Sequence, residues 1–113
     1  MSADRRVPDD PVDFIKRRIR ERKVYWTYHV NMRLAGRHIP RRDIYGSVDT
    51  YELVEAYPDD KYLPSYLVLA TRRDEGVHVL FATDVQSDNV RVVTAYRPSP
   101  NEWEADLRTR RGR

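Results

Sequence analysis

The spacing of apolar residues changes halfway along the chain, and this change constrains the fold more than any other feature. Before Tyr51 the apolar residues recur at the helical period, and after it they alternate or form short runs typical of strands. Helices followed by consecutive strands are typical of α+β domains. Because 113 residues provide one modest hydrophobic core, we predict a single α+β domain.

The first half of the sequence predicts three helices. They cover about residues 10–23 and 27–37, with a short third helix that begins at Pro40. Asp10 can cap the first helix and Pro11 suits its first turn, because an N-cap side chain accepts from free backbone N–H groups and proline has none to satisfy.

The second half predicts four strands joined as consecutive antiparallel hairpins. The first strand starts at Tyr51 and places Tyr51, Leu53, Glu55 and Tyr57 on one face, because strand side chains alternate. The other three strands span residues 66–72, 77–84 and 90–97, and the turns between them are short and polar.

The predicted domain is flanked by two short segments. Residues 1–9 read as a disordered lead, residues 10–108 as the folded domain, and residues 109–113 as a loose basic tail. Ser99 and Glu102 have the spacing of a capping box, with proline between them at the first helical position, so we expect a C-terminal helix to close the domain.

Charge is distributed unevenly along the chain. Residues 1–45 hold twelve Lys and Arg against six Asp and Glu, residues 46–106 hold five against twelve, and residues 107–113 hold four against none. If the two basic ends meet on one side, they form a surface that attracts polyanions such as RNA. The alternative is that the arginines belong to ordinary solvated helix faces.

Several classes of protein gain no support from the sequence. Without cysteine, neither a disulfide framework nor a thiolate zinc site can form within the chain, and the three histidines lack the spacing of metal ligands. We find no phosphate-binding glycine loop, no apolar run that could cross a membrane and no signal peptide. We therefore expect no cofactor, no metal, no membrane contact and a cytoplasmic location.

His29, Arg33 and Arg37 repeat every four residues on the second predicted helix, and we call them the helix stripe. Neighbouring cationic groups repel one another, so such a row favours an anion between them, and phosphate is the obvious one. Alternatively, Arg33 and Arg37 pair with Glu52, Glu55 or Asp43, and His29 caps a strand end.

The strands provide further candidates. His78 lies among apolar strand residues and Tyr96 at a strand end, where a catalytic role and an ordinary half-buried role are both open. We predict His29, Arg33, Arg37, His78 and Tyr96 as catalytic residues. The predicted RNA-binding residues are Arg91, Arg97, Arg108, Arg110 and Arg111.

The order of these residues resembles a prokaryotic family catalogued as a domain of unknown function. The resemblance covers roughly residues 25–110 and is carried by the helix stripe, by Ile39 and Asp43, by Glu55 and Tyr57, by His78-Val79, by Thr94-Ala95-Tyr96-Arg97-Pro98 and by Trp103. The chain departs from the family pattern at Gly36, where glutamate is common, and at Asp49-Thr50, where glycine is common.

The resemblance implies a function. Such proteins are often encoded beside a zinc-finger antitoxin of the YgiT type and are similar to the MqsR, BrnT and RelE/ParE toxins, whose members cleave mRNA, often on the ribosome. It therefore implies a RelE/ParE-like fold, a metal-independent endoribonuclease, and two partners: RNA and a cognate antitoxin. The alternative is a non-catalytic module of the same fold that binds nucleic acid or protein.

Overall fold

The protein is an α+β domain in the computed structural model, which describes residues 6–112. The mixed helix and strand class predicted from the sequence is confirmed. The elements, in chain order, are α1 (Pro11–Arg20), β1 (Val24–Trp26), α2 (Tyr28–Gly36), α3 (Arg41–Gly46), a 3-10 turn (Val48–Thr50), β2 (Glu52–Tyr57), β3 (Ser65–Arg72), β4 (Glu75–Asp84) and β5 (Asn89–Tyr96).

The strands form one five-stranded sheet in the order β1-β5-β4-β3-β2. The predicted antiparallel hairpins are present from β2 to β5. The prediction of four strands was wrong, because Val24–Trp26 forms an additional edge strand parallel to β5. A three-residue strand between two helices is too short to produce a recognisable alternation.

The helices cover one face of the sheet and form the main core with it. Ile15 and Ile19 of α1 and Val30 and Leu34 of α2 are buried against inward-facing residues of β3, β4 and β5. Side-chain caps set the helix starts, since Asp10 accepts from the backbone N–H of Asp13 at 3.1 Å and Thr27 from that of Val30 at 3.1 Å.

A β-bulge in β2 changes the face predicted for part of that strand. Pairing with β3 shifts between Leu53 and Glu55, so Glu52, Glu55 and Tyr57 share the face opposite the helices. The predicted strict alternation, which placed Leu53 with Glu55, is therefore wrong. The bulge brings two carboxylates to the same side of the sheet.

The chain after β5 crosses the sheet without forming a helix. The predicted C-terminal helix stops after one turn, in which the Trp103 N–H donates to the Ser99 carbonyl at 3.0 Å. Trp103 then forms an isolated antiparallel bridge with Arg110. We call residues 99–112 the covering segment.

Both predicted flanking segments are described only in part. Residues 1–5 of the expected disordered lead and Arg113 lie outside the described residues. Residues 109–112 of the expected loose tail lie within the covering segment, where Arg110 and Arg111 form ion pairs. The structure confirms the α+β class, whereas the RelE/ParE-like fold implied by the family resemblance stays a prediction.

Candidate functional site

Ionisable and aromatic side chains converge on the face of the sheet opposite the helices. We call this group the sheet-face cluster: Glu55, Tyr57, His78, Tyr96 and Arg110. Alternation places His78 and Tyr96 on this side, because their neighbours Val79 and Ala95 belong to the helix-side core and the two residues are register partners. Three strands and the covering segment therefore contribute to one site.

Glu55 and Arg110 form the charged part of the cluster. The Arg110 guanidinium donates through Nε and Nη2 to the two carboxylate oxygens of Glu55, at 2.7 and 3.1 Å. The Tyr57 hydroxyl donates to the same carboxylate. The Arg110 hydrogen bonds, aided by Tyr57, lower the pKa of Glu55 although burial opposes them. Glu55 is therefore a carboxylate at neutral pH, with a side chain 25% exposed.

His78 is fully buried and hydrogen-bonded at both ring nitrogens. Its Nε2 lies 2.7 Å from the Leu107 carbonyl oxygen, which can only accept, so Nε2 carries the proton. Its Nδ1 then accepts from the Tyr96 hydroxyl at 3.3 Å. Burial lowers the pKa of His78, so the imidazole is neutral at pH 7.

Tyr96 is the more accessible partner of this pair. Its ring meets the imidazole edge-on with the centroids 5.4 Å apart. Burial raises the pKa of Tyr96, so the hydroxyl keeps its proton at neutral pH. The cluster therefore combines a carboxylate, a guanidinium and a protonated phenol, with the imidazole positioned behind the phenol.

The covering segment packs over the sheet-face cluster. Trp103 is buried, and its ring centroid lies 4.5 Å from that of His78 with the two ring planes perpendicular. The Arg110 guanidinium lies over the Trp103 ring, 4.5 Å from its centroid. Leu107 fits over Gly76, where an added Cβ would come within 2.5 Å of its Cδ1. A larger residue at position 76 would displace the segment that buries His78.

The helix stripe lies on the other side of the sheet. His29 and Arg33 are exposed, and Arg33 has no ion-pair partner among residues 6–112. Arg37 reaches the last strand, where its Nη1 donates to the Ala95 carbonyl at 2.7 Å. The structure therefore separates the predicted catalytic residues into His78 with Tyr96 on one face and the helix stripe on the other.

Intramolecular carboxylates are the partners of the predicted RNA-binding arginines. The pairs are Arg91–Asp84, Arg97–Glu75, Arg108–Glu52, Arg110–Glu55 and Arg111–Glu104. The alternative that Glu52 and Glu55 pair with the helix stripe is therefore wrong, and Asp43 pairs with Arg72. Exposed ion pairs contribute only about 0–1 kcal/mol each, so a phosphate can compete for such arginines.

Sequence reasoning missed the central role of Glu55 and Tyr57 in this arrangement. Neither was among the predicted site residues, and strict alternation placed Glu55 on the same face as Leu53. Trp103 was assigned to a helix. An acidic residue in the middle of an apolar strand was the signal available, because such a residue needs a partner when partly buried.

Neither a metal site nor a membrane span is found in the part of the chain that the structure describes. No group of three or more His, Asp or Glu residues within 6–112 is arranged to hold a metal ion. No helix in this range is long and apolar enough to cross a membrane.

Comparison with known proteins identifies one family. The family model described as a domain of unknown function, DUF4258, matches residues 26–97, more than half of the chain. No curated protein and no solved structure matches the chain. The matched range contains four members of the sheet-face cluster and the whole helix stripe, whereas Arg110 lies beyond it.

Proposed function

The chain belongs to the DUF4258 family, and we propose that it is a metal-independent endoribonuclease whose reaction takes place at the sheet-face cluster. One observation supports this most strongly: an ionised Glu55, a guanidinium and a protonated Tyr96 lie together on one sheet face. These are the groups needed to deprotonate a nucleophile, stabilise a phosphorane and protonate a leaving group.

In the proposed reaction the RNA 2′-hydroxyl attacks the adjacent phosphate. Glu55 takes the proton of the 2′-hydroxyl, the bond from O2′ to phosphorus forms, and the bond from phosphorus to O5′ breaks. Arg110 stabilises the charge on the non-bridging oxygens. The products are a 2′,3′-cyclic phosphate and a 5′-hydroxyl.

Tyr96 serves as the proton donor in this scheme. Its hydroxyl turns from His78 Nδ1 to protonate the departing O5′, and the edge-on contact of its ring with the imidazole keeps the phenol in place. Because His78 is buried behind Tyr96, it is a positioning residue and not a catalytic one. After the products leave, Glu55 loses its proton to water and Tyr96 regains one.

Tyr57 extends the proposed RNA contact. Its side chain is 38% exposed beside the Glu55 carboxylate, so an unpaired base can stack on its ring. Arg108, which pairs with Glu52 on this face, provides an exchangeable phosphate contact there.

The biological role we propose is that of a toxin in a type II toxin–antitoxin system. It has a RelE-like fold, acts on mRNA in the cytoplasm and is silenced by a cognate antitoxin with a zinc finger. Induced expression should arrest growth, and co-expression of the small protein encoded next to it should restore growth. Normal growth at high expression would count against the toxin role while leaving RNA cleavage testable in vitro.

The decisive experiment measures cleavage of a defined RNA in the presence of a chelator. We expect Glu55→Gln to lower the rate by about 10²-fold to 10⁴-fold, because proton transfer by a positioned group contributes that much. Arg110→Ala should lower it by about 10²-fold to 10³-fold through lost transition-state stabilisation. The Tyr96→Phe variant keeps the ring against His78 and removes only the proton donor.

A second ion pair, between Glu52 and Arg108, provides a control for the loss of an ion pair by itself. Glu52 lies on the same face of β2 and pairs with Arg108 as Glu55 pairs with Arg110. We expect Glu52→Gln to change cleavage less than about threefold, since exposed pairs contribute little. Equal losses in Glu52→Gln and Glu55→Gln, or full activity in Glu55→Gln, would remove the cluster from the reaction.

A second function, RNA binding without cleavage, is favoured by the helix stripe. Tyr28 is 73% exposed and Met32 56% exposed next to His29 and Arg33, and Arg33 forms no ion pair within residues 6–112. This resembles the mixture of aromatic and cationic groups that binds single strands. Here Arg33→Ala should weaken RNA binding and lower its salt dependence, whereas Glu55→Gln should not weaken it.

A further inference from the structure

A separate cleft opens between α3 and the hairpin that joins β3 to β4. Its volume is about 330 Å³, within the range of about 300–1,000 Å³ typical of small-molecule sites. Four arginines line it, Arg42, Arg72, Arg73 and Arg97, and we call it the arginine cleft. It includes no member of the sheet-face cluster.

Among the residues that the structure describes, carboxylates pair with two of these four guanidinium groups. Arg72 pairs with Asp43 at 3.3 Å and Arg97 with Glu75 at 3.2 Å. Arg42 and Arg73 have no ion-pair partner among residues 6–112. Within the described part of the chain, the cleft therefore carries two positive charges that no ion pair compensates, and these favour a doubly charged anion such as a phosphate monoester.

A tight turn positions Arg73, and hydrogen bonds position Arg97. Arg73 has a φ of 53° and Asp74 a φ of 64°, both in the left-handed region, where residues other than glycine, asparagine and aspartate are uncommon. The Arg97 guanidinium donates to the carbonyl oxygens of Arg37 and His38, at 2.5 and 3.1 Å. These contacts hold Arg97 in place before any ligand binds.

Gly46 allows a third arginine to approach closely. A Cβ added to Gly46 would lie 2.3 Å from Nη1 of Arg72, so only glycine permits the present position of that guanidinium. The obstructing atom is the end of a flexible side chain, and an alanine at position 46 would therefore move Arg72 without disrupting the fold.

Apolar side chains form part of the remaining lining of the cleft, beside Ser47. Ile39 and Ile44 are almost fully buried there, and Val77 is partly exposed. A cleft with cationic groups and a small apolar surface at Val77 fits a ligand that has a phosphate at one end and a flat, weakly polar ring at the other.

We propose that the arginine cleft binds the phosphate and base of a single nucleotide. The phosphate lies between Arg42 and Arg73, and the base packs on Val77. This site does not depend on the proposed nuclease reaction. The nucleotide is either a free nucleoside monophosphate or the terminal nucleotide of an RNA chain with a 5′-phosphate.

Calorimetric titration of the full chain tests the site with three probes. These are adenosine monophosphate, inorganic phosphate, and a short RNA compared with and without its 5′-phosphate. We expect the monophosphate to bind more tightly than inorganic phosphate because its base adds a contact with Val77. If the terminal nucleotide is the natural ligand, the 5′-phosphorylated RNA should bind more tightly than both the monophosphate and the RNA without that phosphate.

Three variants locate the binding. Arg42→Ala and Arg73→Asn should each weaken nucleotide binding about tenfold, the loss expected for one charged hydrogen bond. Asparagine tolerates the left-handed conformation of residue 73, so this change removes the charge and keeps the turn. Gly46→Ala should weaken binding by moving Arg72. Lys16→Ala, on α1 away from the cleft, makes the same change in net charge and should leave affinity within about twofold.

The proposal fails if none of the nucleotide probes binds the wild-type chain. It also fails if Lys16→Ala weakens binding as much as Arg42→Ala, because the interaction is then a general effect of charge. Circular dichroism of each variant confirms folding, and the cleavage assay with Glu55→Gln remains an independent test of the nuclease.

Discussion

The two faces of the sheet bury their side chains by different means. On one face, Val68, Val79 and Phe81 lie fully buried beneath helices, and the core there is largely apolar. On the other face, Leu67 and Leu69 share the surface with His78 and charged residues. That face is covered by a segment with almost no regular structure.

This difference follows from how each cover satisfies its backbone. A helix pairs its own interior N–H and C=O groups, so it needs only apolar contacts from the sheet. The covering segment leaves carbonyls such as that of Leu107 without a regular partner, and the His78 Nε2–H satisfies this one. An irregular cover thus requires polar groups in the sheet, and these groups form the sheet-face cluster.

The largest expected effect tests the helix-covered face. Phe81→Ala should lower the free energy of unfolding by about 3–5 kcal/mol, because it removes a fully buried ring and leaves a cavity. Urea unfolding followed by fluorescence measures this loss. A loss smaller than that of Trp103→Ala would reverse our ranking of the two faces.

The covering segment should separate from the domain more easily. Trp103→Ala should cost about 2 kcal/mol, less than a full core truncation, because the segment can detach while the sheet remains folded. Hydrogen exchange should show lost protection at the amides of Glu104 and Arg111, which bond to the Thr109 and Glu102 carbonyls, with β4 unchanged. Tyr28→Ala, at an exposed ring, is the control. Loss of protection throughout β4 would mean that both faces unfold together.

The smallest effect concerns pH. Because burial lowers the pKa of His78 in the folded state, the unfolded chain binds a proton there first as pH falls below the ordinary value of 6.5. Stability supplied by the neutral imidazole is therefore present above pH 6.5 and declines below it, by no more than about 1.4 kcal/mol per pH unit.

Thermal unfolding of wild type and His78→Phe between pH 8 and pH 5.5 measures this dependence. The variant should be less stable at pH 8 and should have a flatter profile below pH 6.5. His29→Phe, at an exposed histidine, should keep the wild-type profile. Identical slopes for wild type and His78→Phe would show that this imidazole is not buried in its neutral form.

Local signals in the sequence predicted most of the elements close to their observed bounds. The helix caps at Asp10 and Thr27 use side chains that act within three residues. The hairpins follow from short polar turns between alternating segments. Such interactions involve neighbours in the chain, so sequence patterns report them directly.

The candidate site was only partly predictable. His78 and Tyr96 were predicted individually, and the structure brings them together, because antiparallel register makes them direct partners. Their association with Glu55 depends on a bulge, and their separation from the helix stripe depends on which face the helices cover. Neither feature leaves a signal at the residues concerned.

The sequence by itself determined an α+β domain, its helix starts and its hairpin order, since these depend on periodicity and on contacts a few residues apart. Only the tertiary structure decided that Val24–Trp26 pairs with β5, that the last residues cover the sheet, and that Arg110 meets a carboxylate 55 residues earlier. The capping box near Ser99 favoured a helix, but burial of Trp103 and packing of Leu107 over Gly76 outweigh that local preference.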